Sequence, residues 1–207
     1  MYIFDLDGTL IDSNGIWADV DRTFLARRNL PYTKEYYEGV AHTIFPLAAA
    51  FTKEYAKLEE SCEEIMAEWM ELAQGKYAHV ALKPSVREFL DKCRAEGKRM
   101  ALLTACVPEH CKAALAAHDL EPYFERVILA QELGLDKGTP EIFHKTAQLL
   151  GVDASECTLF DDSVKSCRSA REAGWHVVGV YDRFFESTKA DMPGVCDRFI
   201  TGFSELL

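Results

Sequence analysis

The sequence predicts an α/β fold: a parallel sheet core flanked by helices, interrupted after its first strand by an inserted all-α helical bundle. Three observations predict it. The chain opens on a short apolar run that ends in two aspartates and a glycine, Met1-Tyr-Ile-Phe-Asp-Leu-Asp-Gly-Thr9. From Lys83 onward, strand-like apolar runs alternate with amphipathic helices that carry recognisable caps, a βαβ rhythm. Between these two regions, from about Asn14 to Ala81, apolar residues recur only at helical spacing.

Tyr2, Ile3 and Phe4 read as a buried strand, and Gly8 permits a sharp turn that leaves the strand's carboxyl end open. In the helical region Ile16, Val20 and Phe24 form one stripe and Phe51, Tyr55 and Leu58 another. Ser61 with Glu64 forms a capping box ahead of Ile65, Met66, Trp69 and Met70. These aromatic stripes read as helix core. Ser85 with Glu88 suggests a second capping box before Val86, Phe89, Leu90 and Cys93, and Gly97 stops that helix.

Strand Met100–Leu103 follows, then a helix entered at Pro108 and a strand over Arg126–Leu129. Thr139 and Pro140 start a helix that ends before Gly151, and Cys157–Phe160 makes the next strand. Ser163 to Ala173 is helical and closed by Gly174, His176–Tyr181 is a continuous apolar strand, and Arg198–Ile200 adds an edge strand. The organisation is a core formed by 1–13 and 82–207 and a helical unit over 14–81. Its hinges are Ile11 to Asn14 and Tyr77 to Pro84.

At 207 residues, 48% hydrophobic and 28% charged, the chain belongs with ordinary soluble globular proteins of one large domain or one domain with an insert. No apolar stretch approaches a membrane span and no secretory leader precedes the first strand, so a cytoplasmic location is expected. Seven cysteines without any C-x-x-C spacing indicate reduced, mostly buried thiols rather than a disulfide framework or a zinc site. A net charge of −11 argues against a nucleic-acid partner, while a small anionic substrate needs a local cation, which points to a divalent metal at the aspartates.

The Asp5/Asp7 pair is the most informative feature. One strand repeat separates the two carboxylates, so both can reach one metal ion or one phosphoryl group, one attacking while the other moves protons. A calcium loop of the EF-hand kind is excluded by Leu10 and Ile16, which stand where it needs glycine and glutamate. Thr104, Lys137 and Asp161-Asp162 then fall at or after the carboxyl ends of later strands, on the edge where open α/β sheets bind ligands. Each alone reads as a turn hydroxyl, a solvated lysine or an N-cap; together they converge on one edge.

On these residues the whole chain resembles the haloacid dehalogenase superfamily of phosphohydrolases, in the subfamily whose helical cap follows the first strand of a Rossmann-like core. Asp5-Leu-Asp-Gly-Thr9 is similar to its first motif, Leu-Leu-Thr104-Ala105 to its second, Lys137-Gly-Thr-Pro-Glu-Ile-Phe143 to its third, and Leu-Phe-Asp161-Asp162-Ser163 to its fourth. Gly138 and Thr139 depart from the usual third motif and Ser166 from the glycine usual after the fourth. Neither removes a functional group, so both are expected to touch loop geometry alone.

The resemblance implies a Mg²⁺-dependent phosphatase that hydrolyses a small phosphorylated metabolite through an aspartyl-phosphate. It implies Asp5 as nucleophile and Asp7 as general acid and base, with Thr104, the Ala105 amide and Lys137 on the phosphoryl oxygens. Mg²⁺ would sit on Asp5, the Asp7 carbonyl and Asp162, with Asp161 behind them. Tyr37 to His42 resembles the cap's specificity loop, with His42 either reaching the substrate or satisfied within its loop.

The alternative is a β-phosphoglucomutase-like mutase, disfavoured by Trp17 and His42 where such mutases carry histidine and arginine. A dehalogenase is disfavoured by Asp7, a shorter phospho-accepting receiver module by the helical insert, and an inactive scaffold by the full set of reactive residues. The oligomeric state and the particular ester are open.

Overall fold

The structure is a computed structural model and describes residues 1–41 and 43–207. Strand β1 (Tyr2–Phe4) leads into helices α1 (Asn14–Arg27), α2 (Lys34–Val40), α3 (Phe45–Ala56) and α4 (Cys62–Ala73). The alternating region follows: α5 (Val86–Ala95), β2 (Met100–Thr104), α6 (Pro108–Ala117), β3 (Arg126–Leu129), the short α7 (Ala130–Leu133) and α8 (Pro140–Leu150). It finishes with β4 (Thr158–Asp161), α9 (Val164–Glu172), β5 (His176–Val180), the short α10 (Met192–Val195) and β6 (Arg198–Ile200).

All strand pairs are parallel and the sheet order is β3-β2-β1-β4-β5-β6. The first strand thus lies between β2 and β4, where the order reverses, and its register sets Ile3 beside Ala101 and Leu159 and Phe4 beside Leu102 and Phe160. Strand alternation divides these residues between two cores. Phe4, Leu102 and Phe160 join Phe89 and Leu90 of α5 and Phe203, with the Phe4 and Phe160 rings stacked at 4.6 Å. On the other face Ile3, Leu103, Leu159 and Val177 meet Ile142 and Phe143 of α8 and Cys167 and Ala170 of α9.

The helices after β1 form a third core from Val20, Phe24, Tyr36, Ile65 and Trp69. Among the described residues four helices stand where the apolar stripes predict three. Helix α2 takes up Tyr37 to Val40, which the sequence reads as part of a specificity loop. It is short and buries only Tyr36, so it carries no periodicity to detect; the Thr33 hydroxyl, accepting from the Tyr36 amide at 3.1 Å, starts it. Ser61 and Glu64 make the predicted reciprocal capping box.

The box predicted at Ser85 does not form. Pro84 and Ser85 occupy the middle of a turn closed by the Val86 amide on the Lys83 carbonyl, Ser85 sits at φ 63°, and its hydroxyl caps nothing. The chain leaves and re-enters the sheet region side by side: Ile11 bridges Leu82, Asp12 N–H donates to the Ala81 carbonyl and Lys83 N–H to the Leu10 carbonyl, both at 2.9 Å. Six cysteines are buried and Cys62 is half-buried, all as free thiols. No helix among the described residues is long and apolar enough to cross a membrane.

Candidate active site

The site lies at the carboxyl ends of β1, β2 and β4. Strand β1 ends at Phe4, so Asp5 is the first residue past it, its amide still bonded to the Phe160 carbonyl of β4 at 2.9 Å. Gly8 turns the chain at φ 75°; a Cβ there would stand 2.1 Å from Asp162 Oδ2, so the turn needs glycine for its conformation and for its space. Thr9 Oγ1 donates to Asp162 Oδ1 at 3.2 Å and Asn14 Nδ2 to Asp162 Oδ2 at 2.9 Å, which ties the first turn of α1 to the end of β4.

Lys137 arrives from the far side of the sheet. The predicted position just after β3 is in fact separated from that strand by α7 and its Gly134 stop, and the loop beyond brings the ammonium 2.7 Å from both Asp5 Oδ1 and Asp161 Oδ2. Asp161 also accepts from the Ser163 amide on Oδ1 at 2.8 Å and from the Ser166 hydroxyl on Oδ2 at 2.9 Å. Ser166 therefore does more than shape a loop, contrary to the expectation from its departure from glycine: it helps fix the carboxylate that holds Lys137. Thr104 is 1% exposed and its Oγ1 accepts the Cys106 amide at 3.0 Å, which leaves its own proton free to donate; Ala105 beside it is half-buried.

Burial and charge crowding dominate the electrostatics. Desolvation raises Asp5 to about 7 despite the opposing pull of Lys137, with Asp161 adding to the rise, and desolvation with Asp161 and Asp5 raises Asp162 well above its ordinary range. Lys137 is buried too, but Asp161 and Asp5 outweigh the desolvation and hold it above its usual value, firmly cationic. One ammonium faces three buried carboxylates, whose oxygens on Asp5, Asp161 and Asp162 all lie within 4.8 Å of one another. Such an excess of buried negative charge suits a hard divalent cation with oxygen ligands. Asp5 and Asp162 fit that role better than Asp161: Asp161 accepts from the Ser163 amide on one oxygen and from Ser166 and the Lys137 ammonium on the other, whereas Lys137 takes only Oδ1 of Asp5 and the donors on Asp162 are the neutral Thr9 hydroxyl and Asn14 amide. The carboxylate of Asp7 is outside the set, so a metal role for that residue rests on its backbone carbonyl.

The Asp7 carboxylate is held elsewhere: its Oδ1 accepts from Ser13 Oγ at 2.5 Å and from Tyr77 OH at 2.6 Å, and Tyr77 accepts from Trp17 Nε1 at 2.5 Å. Ser13 lies where the chain leaves the sheet region for the helices and Tyr77 where it returns. A cavity of about 150 Å³ spans the sheet edge and the helices, with Asp5, Asp7, Thr104, Ala105 and Lys137 at one part of its wall. The sequence-predicted residues thus meet in one place, except His42, which falls outside the described residues. The sequence reading missed Thr9, Asn14, Ser13, Tyr77 and Asp21. Thr9 and Asn14 flank the aspartate motif closely enough to have been suspected; Tyr77 reads only as the start of a connecting segment, and Asp21 of α1 as a polar neighbour of an apolar stripe.

The family model for haloacid dehalogenase-like hydrolases matches residues 2–180. A phosphorylated carbohydrates phosphatase of Thermotoga maritima is 24% identical over 83% of this chain and 80% of its own length. A fructose-1-phosphate phosphatase of Escherichia coli is 26% identical over 86% of this chain and 94% of its own. Among solved structures, the protein CbbY of Rhodobacter sphaeroides, bound to xylulose 1,5-bisphosphate, superposes with a TM-score of 0.85 at 20% identity over 99% of this chain and 95% of that one. The parallel sheet, the aspartates and lysine gathered on its carboxyl edge, and a family match that runs from the first strand to the end of the fifth make the chain a haloacid dehalogenase-like hydrolase, an enzyme of that family.

Proposed function

We propose that this enzyme hydrolyses a small phosphomonoester in two displacements, with the phosphoryl group carried in between on Asp5. The observation that carries the reading is Lys137, buried and held 2.7 Å from Asp5, a fixed positive charge beside the atom that must approach a phosphate dianion. The phosphatase names of the relatives in Thermotoga maritima and Escherichia coli support it.

In the first displacement a carboxylate oxygen of Asp5 forms a bond to phosphorus as the bond from phosphorus to the ester oxygen breaks. Asp7, protonated, gives its proton to the departing alkoxide, which leaves as an alcohol. In the second, the ionised Asp7 takes a proton from a water whose oxygen bonds to phosphorus; the bond to Asp5 breaks, and inorganic phosphate leaves. The Thr104 hydroxyl, the Ala105 amide and Lys137 would hold the phosphoryl oxygens through both steps, and a donor of this kind contributes about 2.7–4 kcal/mol to the transition state.

Asp161, with Ser166 behind it, orients Lys137. Asp5 and Asp162, with the Asp7 carbonyl, would hold Mg²⁺, which when bound supplies further positive charge to offset the repulsion between carboxylate and phosphate. His42 would belong to the substrate-facing loop, and 14–81 would form the cap over 1–13 and 82–207. The free, buried thiols suit a reducing cytoplasm.

The test is phosphate release from a panel of small phosphomonoesters, with and without Mg²⁺. Wild-type protein is expected to release phosphate only with the metal, and Asp5→Asn to lose at least about three orders of magnitude in rate while keeping its melting temperature. Ordinary turnover by a folded Asp5→Asn protein would overturn the assignment.

A further inference from the structure

The cavity runs from the phosphoryl end into the helices, and its far wall has a distinct composition. Trp17, Tyr32, Tyr37, Phe45 and Trp69 line it with aromatic rings, and among them stands one carboxylate, Asp21 of α1. Asp21 is 7% exposed, its Oδ1 accepts from Tyr36 OH at 3.3 Å, and no protein donor reaches its second oxygen among the described residues. Tyr36 is itself tied to the Thr52 hydroxyl at 3.0 Å, so the pair is rigidly held. Lys137 is the one cation lining the cavity among the described residues, and Asp5 and Asp161 already hold it.

A carboxylate buried on an apolar wall with an open oxygen needs a partner from the ligand. A second phosphate or carboxylate on the substrate is excluded by repulsion from Asp21 and by the absence of a free cation on the described wall. For a polyol this wall offers, besides Asp21, the Tyr32 hydroxyl and a Tyr37 hydroxyl that already donates to the Phe184 carbonyl at 3.3 Å; most of it is ring faces, which a polyol leaves unused. A cationic amine satisfies both features: the carboxylate pairs with its charge, and ring faces attract it through their quadrupoles. Seven residues separate Asn14, which is bonded to the phosphoryl-end Asp162, from Asp21. That is a rise of about 10 Å along the helix, within the reach of a short leaving group.

The geometry points to Asp21 as a specificity residue that receives the ammonium group of the leaving alcohol, so that the ester hydrolysed at Asp5 is that of a phosphorylated amino alcohol. The inference rests on the phosphatase reading and names its substrate class. Burial holds the Asp21 carboxyl up at about 7 against the pull of the Tyr36 hydroxyl and Arg22, and an ammonium bound at its open oxygen would draw it further down.

The experiment compares ω-aminoalkyl phosphates of increasing chain length with neutral alkyl phosphates in which a methyl replaces the amine. It adds phosphocholine beside its neutral isostere, in which a quaternary carbon replaces nitrogen. Wild-type enzyme is expected to favour the amine by about tenfold in kcat/KM at the best-fitting length, and Asp21→Asn to bring that ratio close to one. The ratio is taken within each variant, so a general loss of activity does not mimic the effect.

The same pairs are titrated calorimetrically into Asp5→Asn and Asp5→Asn/Asp21→Asn proteins, which reads recognition without turnover. Selective binding that needs Asp21, with no hydrolysis of any ester by wild type, would sustain Asp21 as the group that receives the ammonium and overturn the phosphatase reading, and with it the assignment of an amino-alcohol ester as substrate. Hydrolysis of the neutral esters as fast as the amines at every length, a preference for polyol phosphates over both, or an amine preference that survives in Asp21→Asn would overturn it.

Discussion

Asp21 is an expensive residue for the fold, and its expense can be measured. In the unfolded chain it ionises near 3.8, whereas in the native protein desolvation lifts it to about 7 against the pull of the Tyr36 hydroxyl and Arg22. Below the lower value both states are protonated and Asp21 contributes no penalty. Between the two the unfolded state releases a proton that the native state retains, so stability falls as pH rises, and the loss is complete above the upper value. The full loss is of order 4 kcal/mol at most. Asp21→Asn is therefore expected to be more stable than wild type by an amount that grows from about pH 4 to pH 7 and then levels off, as read by urea denaturation across that range. A flat difference would mean that the carboxylate is solvated. Asp21 was illegible from sequence because it shares a helix with Val20 and Phe24, and an aspartate beside an apolar stripe reads as solvent-facing; its burial is decided by Tyr36 and Thr52, from two other helices.

Two short elements, the Gly8 turn and the return segment at Tyr77, decide whether the aspartates are usable. Gly8→Ala forces a side chain into φ 75° and a Cβ into Asp162, so it should cost at least about 2 kcal/mol by denaturation and weaken metal-dependent activity with it. Tyr77 is 1% exposed, and its hydroxyl joins Asp7 to Trp17. Tyr77→Phe leaves the ring packed on His110 but removes one of the two donors that hold the Asp7 carboxylate, the other being Ser13, and its expected signature is kcat lower by about tenfold with KM within about twofold, in steady-state assays. An equal fall in affinity would assign Tyr77 to substrate binding instead. Local signals along the chain were uneven at this scale. Ser61 and Glu64 are legible because both halves of the box are local, whereas Ser85 misleads because Pro84 ahead of it sets a turn that carries its hydroxyl away from the helix end.

Across the whole molecule, Lys83 joins parts of the chain that are far apart in sequence. Its ammonium donates to the Gly8 carbonyl, to the Tyr181 carbonyl after β5 at 2.7 Å and to the buried Asp182 at 2.9 Å. Lys83→Met strands the Asp182 carboxylate without its cation and is expected to destabilise by about 3–5 kcal/mol, measured as a shift in the denaturation midpoint, with activity falling as the Gly8 turn loosens. The order of strands and helices was legible because each βα unit carries its own apolar run and stop signal. The meeting of Asp5, Thr104, Lys137 and Asp162 was legible because parallel strands put every carboxyl end on one edge. Lys83 was not, since it acts through Gly8, Tyr181 and Asp182, which only the folded chain brings near. The side-by-side crossings at Ile11 and Leu82 carry an evolutionary consequence. Because the excursion begins and ends at neighbouring points joined by backbone hydrogen bonds, a tight hairpin can replace it, or a different bundle can be grafted there, without moving β1. The carboxyl edge of the sheet and the helices between the two crossings can then change in sequence as separate units, each without disturbing the backbone of the other.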